Sequence, residues 1–315
     1  MDISAAFLTV LGLAVFESIT SIDNAIINAE ILATMQARAR RWFLTWGIAV
    51  AVFGVRGLLP WFIVWVMAPG LDPRQAFTAT LTDDPAAQKA IQESAPVLVI
   101  GGGVFFIFLF CHWLFMEQKK YGLPGERFFA RQGAWFYAVV SVSLAVIVWF
   151  ALKKGPMGGF GAVVGSTAFF ITHGFKRYAE TQEERLMQNR TSLSDIAKIV
   201  YLEVIDATFS IDGVVGAFAF TLSVPLILLG NGIGAVVVRQ LTIYNLDKIK
   251  KYIYLKNGAM YSVLVLGFVM LGHGYGAHIP DWPAPLATII IVGYFFWKSW
   301  RHARQDHQDM AASPF

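Results

Sequence analysis

The chain has a single cysteine, Cys111, which excludes an internal disulfide, a Cys-x-x-Cys redox pair and a cysteine-rich zinc site. Charge is scarce as well: Asp, Glu, Lys and Arg make up 15% of the 315 residues, against 56% hydrophobic, and the mean hydropathy is +0.56. Such a composition lies outside the range of soluble globular domains and belongs in a bilayer. The net charge of +4 and the pI near 9.1 would point to an anionic partner in a soluble protein. In a membrane protein Lys and Arg set orientation instead, so nucleic acid is not an expected partner. Also missing is the basic start of a secretory signal. Met1-Asp2-Ile3-Ser4 leads into an apolar run too long for a signal-peptide core, and this first segment is expected to stay in the mature protein.

What the sequence does have is apolar runs. A helix needs about 20 apolar residues to cross the hydrocarbon core, and nine segments qualify, near 5–35, 42–68, 95–116, 133–152, 156–174, 195–222, 224–239, 258–277 and 284–300. The fifth is glycine-rich and the seventh is short. Lys and Arg give an independent check, because they accumulate on the cytoplasmic side of short loops. With the N-terminus outside, nine spans place 18 of them inside, among them Arg38, Lys119, Arg131, Arg190, Lys251 and Arg304, and 4 outside, namely Arg74, Lys89, Lys153 and Lys154. One span more or fewer would spoil that asymmetry. The expected fold is therefore all-α: one membrane domain over 1–315, a polytopic bundle of about nine spans in the cytoplasmic (inner) membrane, with the C-terminus inside. The stretch 70–94 reads as an outer loop and 301–315 as a solvated tail.

An internal repeat carries the polar residues. A shift of 189 positions lays Glu17-Ser18-Ile19-Thr20-Ser21-Ile22-Asp23-Asn24 over Asp206-Ala207-Thr208-Phe209-Ser210-Ile211-Asp212-Gly213, so that acid, Ser, Ile and Asp coincide in order. Charges inside apolar spans are rare, which makes a chance match implausible. Five spans separate the two starts, so the copies, about 5–150 and 195–300, run in opposite directions. Inverted-topology repeats of this kind meet near the midplane to form a substrate site. Arg56 follows the first motif and Arg239 the second at similar spacings, 33 and 27 residues on.

Glu17, Asp23, Glu203, Asp206 and Asp212 all fall within expected spans. Each such charge at a helix centre costs roughly 2.5–3.5 kcal/mol, and two arginines cannot neutralise five acids. A bound divalent cation would fill the deficit. On one helix Glu203, Asp206 and Ser210 share a face, whereas Asp212 lies about 180° from Glu203 and Asp23 about 120° from Glu17. Either the aspartates address another helix, or the helices break near Ser-Ile-Asp, where Asn24 and Gly213 would tolerate it. Carboxylates with Ser21, Ser210 and Asn24 are hard oxygen donors suited to Mg²⁺, Ca²⁺ or Mn²⁺.

With these motifs, Glu17 to Asn24 and Glu203 to Gly213, and with Arg56 in Gly54-Val55-Arg56-Gly57-Leu58 and Arg239, the chain resembles the TerC-like family of integral membrane proteins. That family is named for tellurium resistance, and the resemblance is to its branch classed as a domain of unknown function. It covers roughly residues 5–300, and the loop 70–94 is the main departure. It implies a membrane metal-ion transporter, with manganese export the expected activity and no resident cofactor. The metal ligands it implies are Glu17, Ser21, Asp23, Asn24, Glu203, Asp206, Ser210 and Asp212, with Arg56 and Arg239 balancing charge.

Two other functions fit parts of the pattern. An intramembrane aspartyl hydrolase would use Asp23 and Asp212 as a carboxyl dyad, but it has no need of Glu17, Glu203 and Asp206. A non-transporting scaffold in metal or tellurite stress would use the acids only for interhelical ion pairs, a costly route to specificity. His112, His173 and His273 fall near helix ends, where lone histidines pack or sit at the interface. Glu117 reads as loop surface, the triplet Asn189-Arg190-Thr191 as coincidence in a cytoplasmic loop, and Gly101-Gly102-Gly103 as a close helix contact.

Overall fold

The computed structural model describes residues 3–47, 49–50, 54, 56–67, 72–76, 85–188, 194–249, 251–280 and 282–312, with the side chains of Asp23, Asn24 and Arg239 among those outside the description. Much of the loop 70–94 and the triplet 189–191 lie outside the described residues too. Every described element is helical: α1 (Ile3–Thr20), α2 (Ile22–Ala33), α3 (Ala37–Trp42), a π-helical turn (Phe43–Gly47), α4 (Arg56–Met67), α5 (Pro85–Met116), α6 (Glu126–Ala130), α7 (Trp135–Leu152), α8 (Pro156–Gln188), α9 (Asp195–Ala217), α10 (Val224–Ile249), α11 (Leu255–Gly274) and α12 (Pro283–Ala312). Each of the nine apolar segments contains helix in its described part, with turns at the ends of several, such as 218–220 and 275–276. Four helices are long and apolar enough to cross a membrane, Ile3–Thr20, Ala95–Met116, Trp135–Leu152 and Leu255–Gly274, with a shorter apolar helix at Val224–Val238. In hydrocarbon a helix satisfies its own backbone polar groups, and these helices mark the chain as a membrane protein.

Local chemistry sets the ends. Pro156 and Pro283 open α8 and α12, where the missing N–H is not needed. Ser194 caps α9 by accepting from the Ala197 N–H at 3.3 Å. Gly155 (φ 143°) and Gly276 (φ 84°) make the turns after α7 and α11 in a backbone region that side chains disfavour.

At the centre of the bundle stands α5. Of an 18-residue apolar window within Ala95–Met116, 89% is buried, against 22% of Trp135–Leu152 in α7. The outer face of α7 shows Trp135, Tyr137, Val142, Val146 and Trp149 to the surroundings, as a lipid-facing helix does. Around α5 pack α8 and α11, while α1 packs on α10 and α12. Aromatic edges fill the seam between α5 and α8: Phe105 and Phe108 both meet the Phe169 ring, at 6.0 and 5.6 Å between centroids.

Glycine brings α5 and α8 together, as the triple glycine suggests. A side chain at Gly165 would run into the Gly101 backbone, and one at Gly161 would lie 2.6 Å from the Val97 carbonyl oxygen. Gly165→Ala is expected to destabilise the protein by about 1–3 kcal/mol through overpacking. On the open face of the same helix, where nothing lies within 4 Å, Gly174→Ala should be neutral or stabilising by up to about 1 kcal/mol. Thermal unfolding in detergent compares the two; equal midpoints would show that α5 and α8 do not need this approach.

On the side of α5 that ends at Met116, a second polar knot ties the connection to α6 onto α11. Glu126, buried, accepts from the Gly122 N–H (2.7 Å), the Leu123 N–H (3.0 Å), Asn257 Nδ2 (3.0 Å) and the Tyr261 hydroxyl (3.0 Å). Lys119 donates to the terminal carbonyls of α5 at Trp113 and Leu114. Burial pushes its ammonium down to about 8, opposed by the nearby Glu126 and Glu117.

Candidate functional site

The first acidic motif sits at an interruption. Between α1 and α2 the chain turns at Ser21, although the Ser21 N–H still reaches the Glu17 carbonyl at 3.1 Å. Beside it the Thr20 hydroxyl bonds back to the Phe16 and Glu17 carbonyls at 3.0 and 3.3 Å, sharing acceptors that the helix uses itself. The second motif behaves differently. Helix α9 runs unbroken from Asp195 to Ala217 through Ser210, Asp212 and Gly213. Gly213 is therefore not a break, and its lack of a side chain serves another purpose described below.

The acids meet at one arginine. Arg56, the first residue of α4, places Nε and Nη2 on the same oxygen of Glu17, Oε1, at 2.9 and 2.7 Å, and Nη1 on Asp206 Oδ2 at 3.3 Å. The Ser21 hydroxyl donates to that same Glu17 oxygen at 2.8 Å. Side-chain exposure is 4% for Arg56, 1% for Glu17 and 15% for Asp206, so the cluster is almost closed to solvent. Glu17 and Asp206 are the two positions that the 189-residue shift superimposes, and α4 supplies the cation between them.

Glu17 can stand there because two helices give way to it. A side chain at Gly213 of α9 would collide with Glu17 Oε2, and one at Gly234 of α10 would lie 2.7 Å from its Cβ. The Ser18 hydroxyl reaches the Gly234 carbonyl at 3.4 Å and holds the same contact. One turn before Asp206 on α9, Glu203 turns both carboxylate oxygens away from solvent, and a side chain at Gly47 in the π-helical turn would lie 2.5 Å from Oε1. Single π turns inside helices are frequent at functional sites. Ser210 is buried and bonds back to the Asp206 carbonyl at 2.6 Å, and Asp212 is half-buried beyond it.

The structure therefore joins Glu17, Ser21, Arg56 and Asp206 in one network and sets Glu203 and Ser210 on the same helix. The side chains of Asp23, Asn24 and Arg239 lie outside the described residues, although α2, which carries Asp23 and Asn24, packs on α9. Among the described residues, no three His, Cys, Asp or Glu side chains gather closely enough to hold a metal ion. The guanidinium occupies the space between Glu17 and Asp206.

Two features escape the sequence reading. Asn231 of α10 is fully buried, and among the described residues neither of its amide atoms has a partner. It lies between Gly230 and Gly234, on the stretch of α10 that meets Leu13 to Glu17. The signal was an asparagine inside Leu228-Leu229-Gly230-Asn231-Gly232-Ile233. His112 and His173, read as lone residues, are in fact paired, with ring centroids 3.8 Å apart. Glu117 lies 3.9 Å from His112 Nδ1 and pairs with Lys256 at 2.7 Å. His273 does behave as a packed residue, with Nε2 2.9 Å from the Ile279 carbonyl oxygen.

Comparison with curated proteins gives no match, and comparison with solved structures gives none. A family does match: the proteins of unknown function grouped as DUF475, over residues 22–306, a stretch that takes in Arg56 and the whole α9 motif and starts just after Glu17 and Ser21. Since that match spans most of the chain, the protein belongs to the DUF475 family of membrane proteins.

Proposed function

We propose that the chain is a transporter of divalent metal cations, exporting manganese across the cytoplasmic membrane through a carboxylate site between two inverted repeats. The observation that carries this reading is the buried cluster in which carboxylates from α1 and α9 face each other across one guanidinium. Glu17 and Asp206 with Arg56 carry one more negative than positive charge. A divalent ion is the cheapest way to balance such a surplus in hydrocarbon. Oxygen donors favour Mn²⁺, Mg²⁺ or Ca²⁺ over softer metals, and the resemblance to the TerC-like family singles out Mn²⁺. Nine spans with the N-terminus outside rest on the distribution of Lys and Arg.

The test is Mn²⁺ flux into vesicles that hold the purified protein, followed by quenching of a trapped fluorophore, with Ca²⁺, Mg²⁺ and Zn²⁺ as competitors. Wild-type protein should carry Mn²⁺, and neither the Glu17→Gln/Asp206→Asn variant nor the Asp23→Asn/Asp212→Asn variant should, compared at equal membrane yield. Full flux in both variants would rule the mechanism out. Absence of flux and of any divalent-ion binding in the wild type would favour a scaffold.

A further inference from the structure

We propose that Arg56 is a tethered competitor for the transported ion, and that its displacement makes the site select divalent over monovalent cations. This rests on the transport reading above and adds to it the determinant of charge selectivity.

The geometry is specific on this point. Glu17 Oε1 receives three donors, two from Arg56 and one from Ser21, all at 2.7–2.9 Å. A carboxylate oxygen has two lone pairs in its plane, and a cation binds through the same electron pairs. Metal and guanidinium therefore exclude each other at this oxygen. The other oxygen, Oε2, lies in the space that the missing side chain of Gly213 leaves on α9. Across the gap, Asp206 Oδ2 is held by Nη1 of the same guanidinium. An ion that takes the two oxygens that face each other here, Glu17 Oε1 and Asp206 Oδ2, must therefore part them from Arg56.

Charge decides which ions can do so. Exchanging the guanidinium for Na⁺ or K⁺ leaves the net charge at the carboxylates unchanged and forfeits three charge-assisted hydrogen bonds. Exchanging it for a divalent ion leaves one more positive charge between acids that are nearly closed to solvent, where screening is weak. Only the divalent ion brings a gain in charge to set against the lost bonds. Occupation by Arg56 also lowers the apparent affinity for the ion by the fraction of molecules in which the carboxylates are released, and removing the arginine removes that reduction. Once the ion has left, the guanidinium closes on the acids again and spares the empty site two unpaired buried carboxylates.

The experiment measures Mn²⁺ binding by loss of the free-ion electron paramagnetic resonance signal, using the full chain in detergent. Na⁺ is exchanged for N-methylglucamine at constant ionic strength. Wild-type affinity should be indifferent to that exchange. Arg56→Gln should bind Mn²⁺ about 10-fold more tightly or better and should lose the gain as Na⁺ is added. Arg56→Lys, which keeps the charge with fewer fixed donors, should fall between them. A second measurement needs no variant. Phenylglyoxal should modify Arg56, read by peptide mass, faster at saturating Mn²⁺ than in Na⁺ alone.

If the wild type binds Mn²⁺ while Arg56 labelling is unchanged by the ion, the inference fails and the transport reading stands. The inference fails in the same way if Arg56→Gln binds Mn²⁺ no more tightly and without Na⁺ competition. If the wild type binds no divalent ion, both readings fall.

Discussion

Glu17→Ala is expected to destabilise the protein by about 3–5 kcal/mol, and Glu17→Ala combined with Arg56→Met to recover most of that loss. The reasoning concerns what is left behind. In the wild type, two nitrogens of a 4%-exposed guanidinium rest on a 1%-exposed carboxylate. Taking the carboxylate away leaves the arginine buried, with the longer 3.3 Å contact to Asp206 in place of the closer pair. Breaking a buried pair by removing one partner costs about 3–5 kcal/mol, whereas replacing both partners by apolar groups is often neutral or stabilising. Methionine follows the path of the arginine stem and needs no counter-charge. Surface charge provides the contrast. Removal of Glu117, whose bridge to Lys256 is 26% and 39% exposed at its two ends, should change stability by less than about 1 kcal/mol. Chemical or thermal unfolding in detergent reads all three variants. A single Glu17→Ala variant as stable as wild type would mean that the pair does not hold α1 to α4.

Much of this cluster is legible in the sequence because charge inside an apolar run is conspicuous. Glu17, Asp206 and Arg56 are visible on that ground alone, and the 189-residue shift already sets Glu17 over Asp206. What the sequence does not carry is the manner of the meeting. Helical periodicity tells which residues share a face, and Glu203, Asp206 and Ser210 do share a helix as expected. It does not tell which helix that face addresses, since Arg56 stands 39 residues from Glu17 and 150 from Asp206 along the chain.

The break illustrates a second limit. Both copies of the motif have the same Ser-Ile-Asp, yet only the first is interrupted, although a hydroxyl turns back onto the helix in each, Thr20 in the first and Ser210 in the second. Gly213 looks like a hinge by composition, and three-dimensional packing makes it a socket for Glu17. Helix α5 shows a third limit: its apolar stretch has no polar side, so no periodicity marks it as the central pillar, and only its neighbours do. Asn231 and the pairing of His112 with His173 went unread because a lone polar residue carries no information about what stands opposite.

Asp206→Asn is expected to lower Mn²⁺ flux and binding by at least about 100-fold, equivalent to about 2.7 kcal/mol, while membrane yield stays near that of the wild type. Asparagine retains an acceptor oxygen in place of Oδ2, so the 3.3 Å contact with Arg56 survives as a weaker bond and the helices keep their places. Removed is one unit of negative charge at the position where the ion is to replace the guanidinium. The two effects can be told apart, because a purely architectural Asp206 would reveal itself in stability before it did in flux. Glu17→Gln should give the same loss of flux, since both acids hold the same guanidinium and the new side chain can still accept from Arg56 and Ser21 through its amide oxygen. Its effect on stability should be larger than that of Asp206→Asn, because Glu17 is the more deeply buried and accepts two of the three hydrogen bonds from Arg56 to these acids. Parallel measurements of Mn²⁺ flux, Mn²⁺ binding and unfolding on the two variants settle the assignment. Wild-type flux in Asp206→Asn would reduce that residue to a support for Arg56 and move the ion path away from this pair of acids.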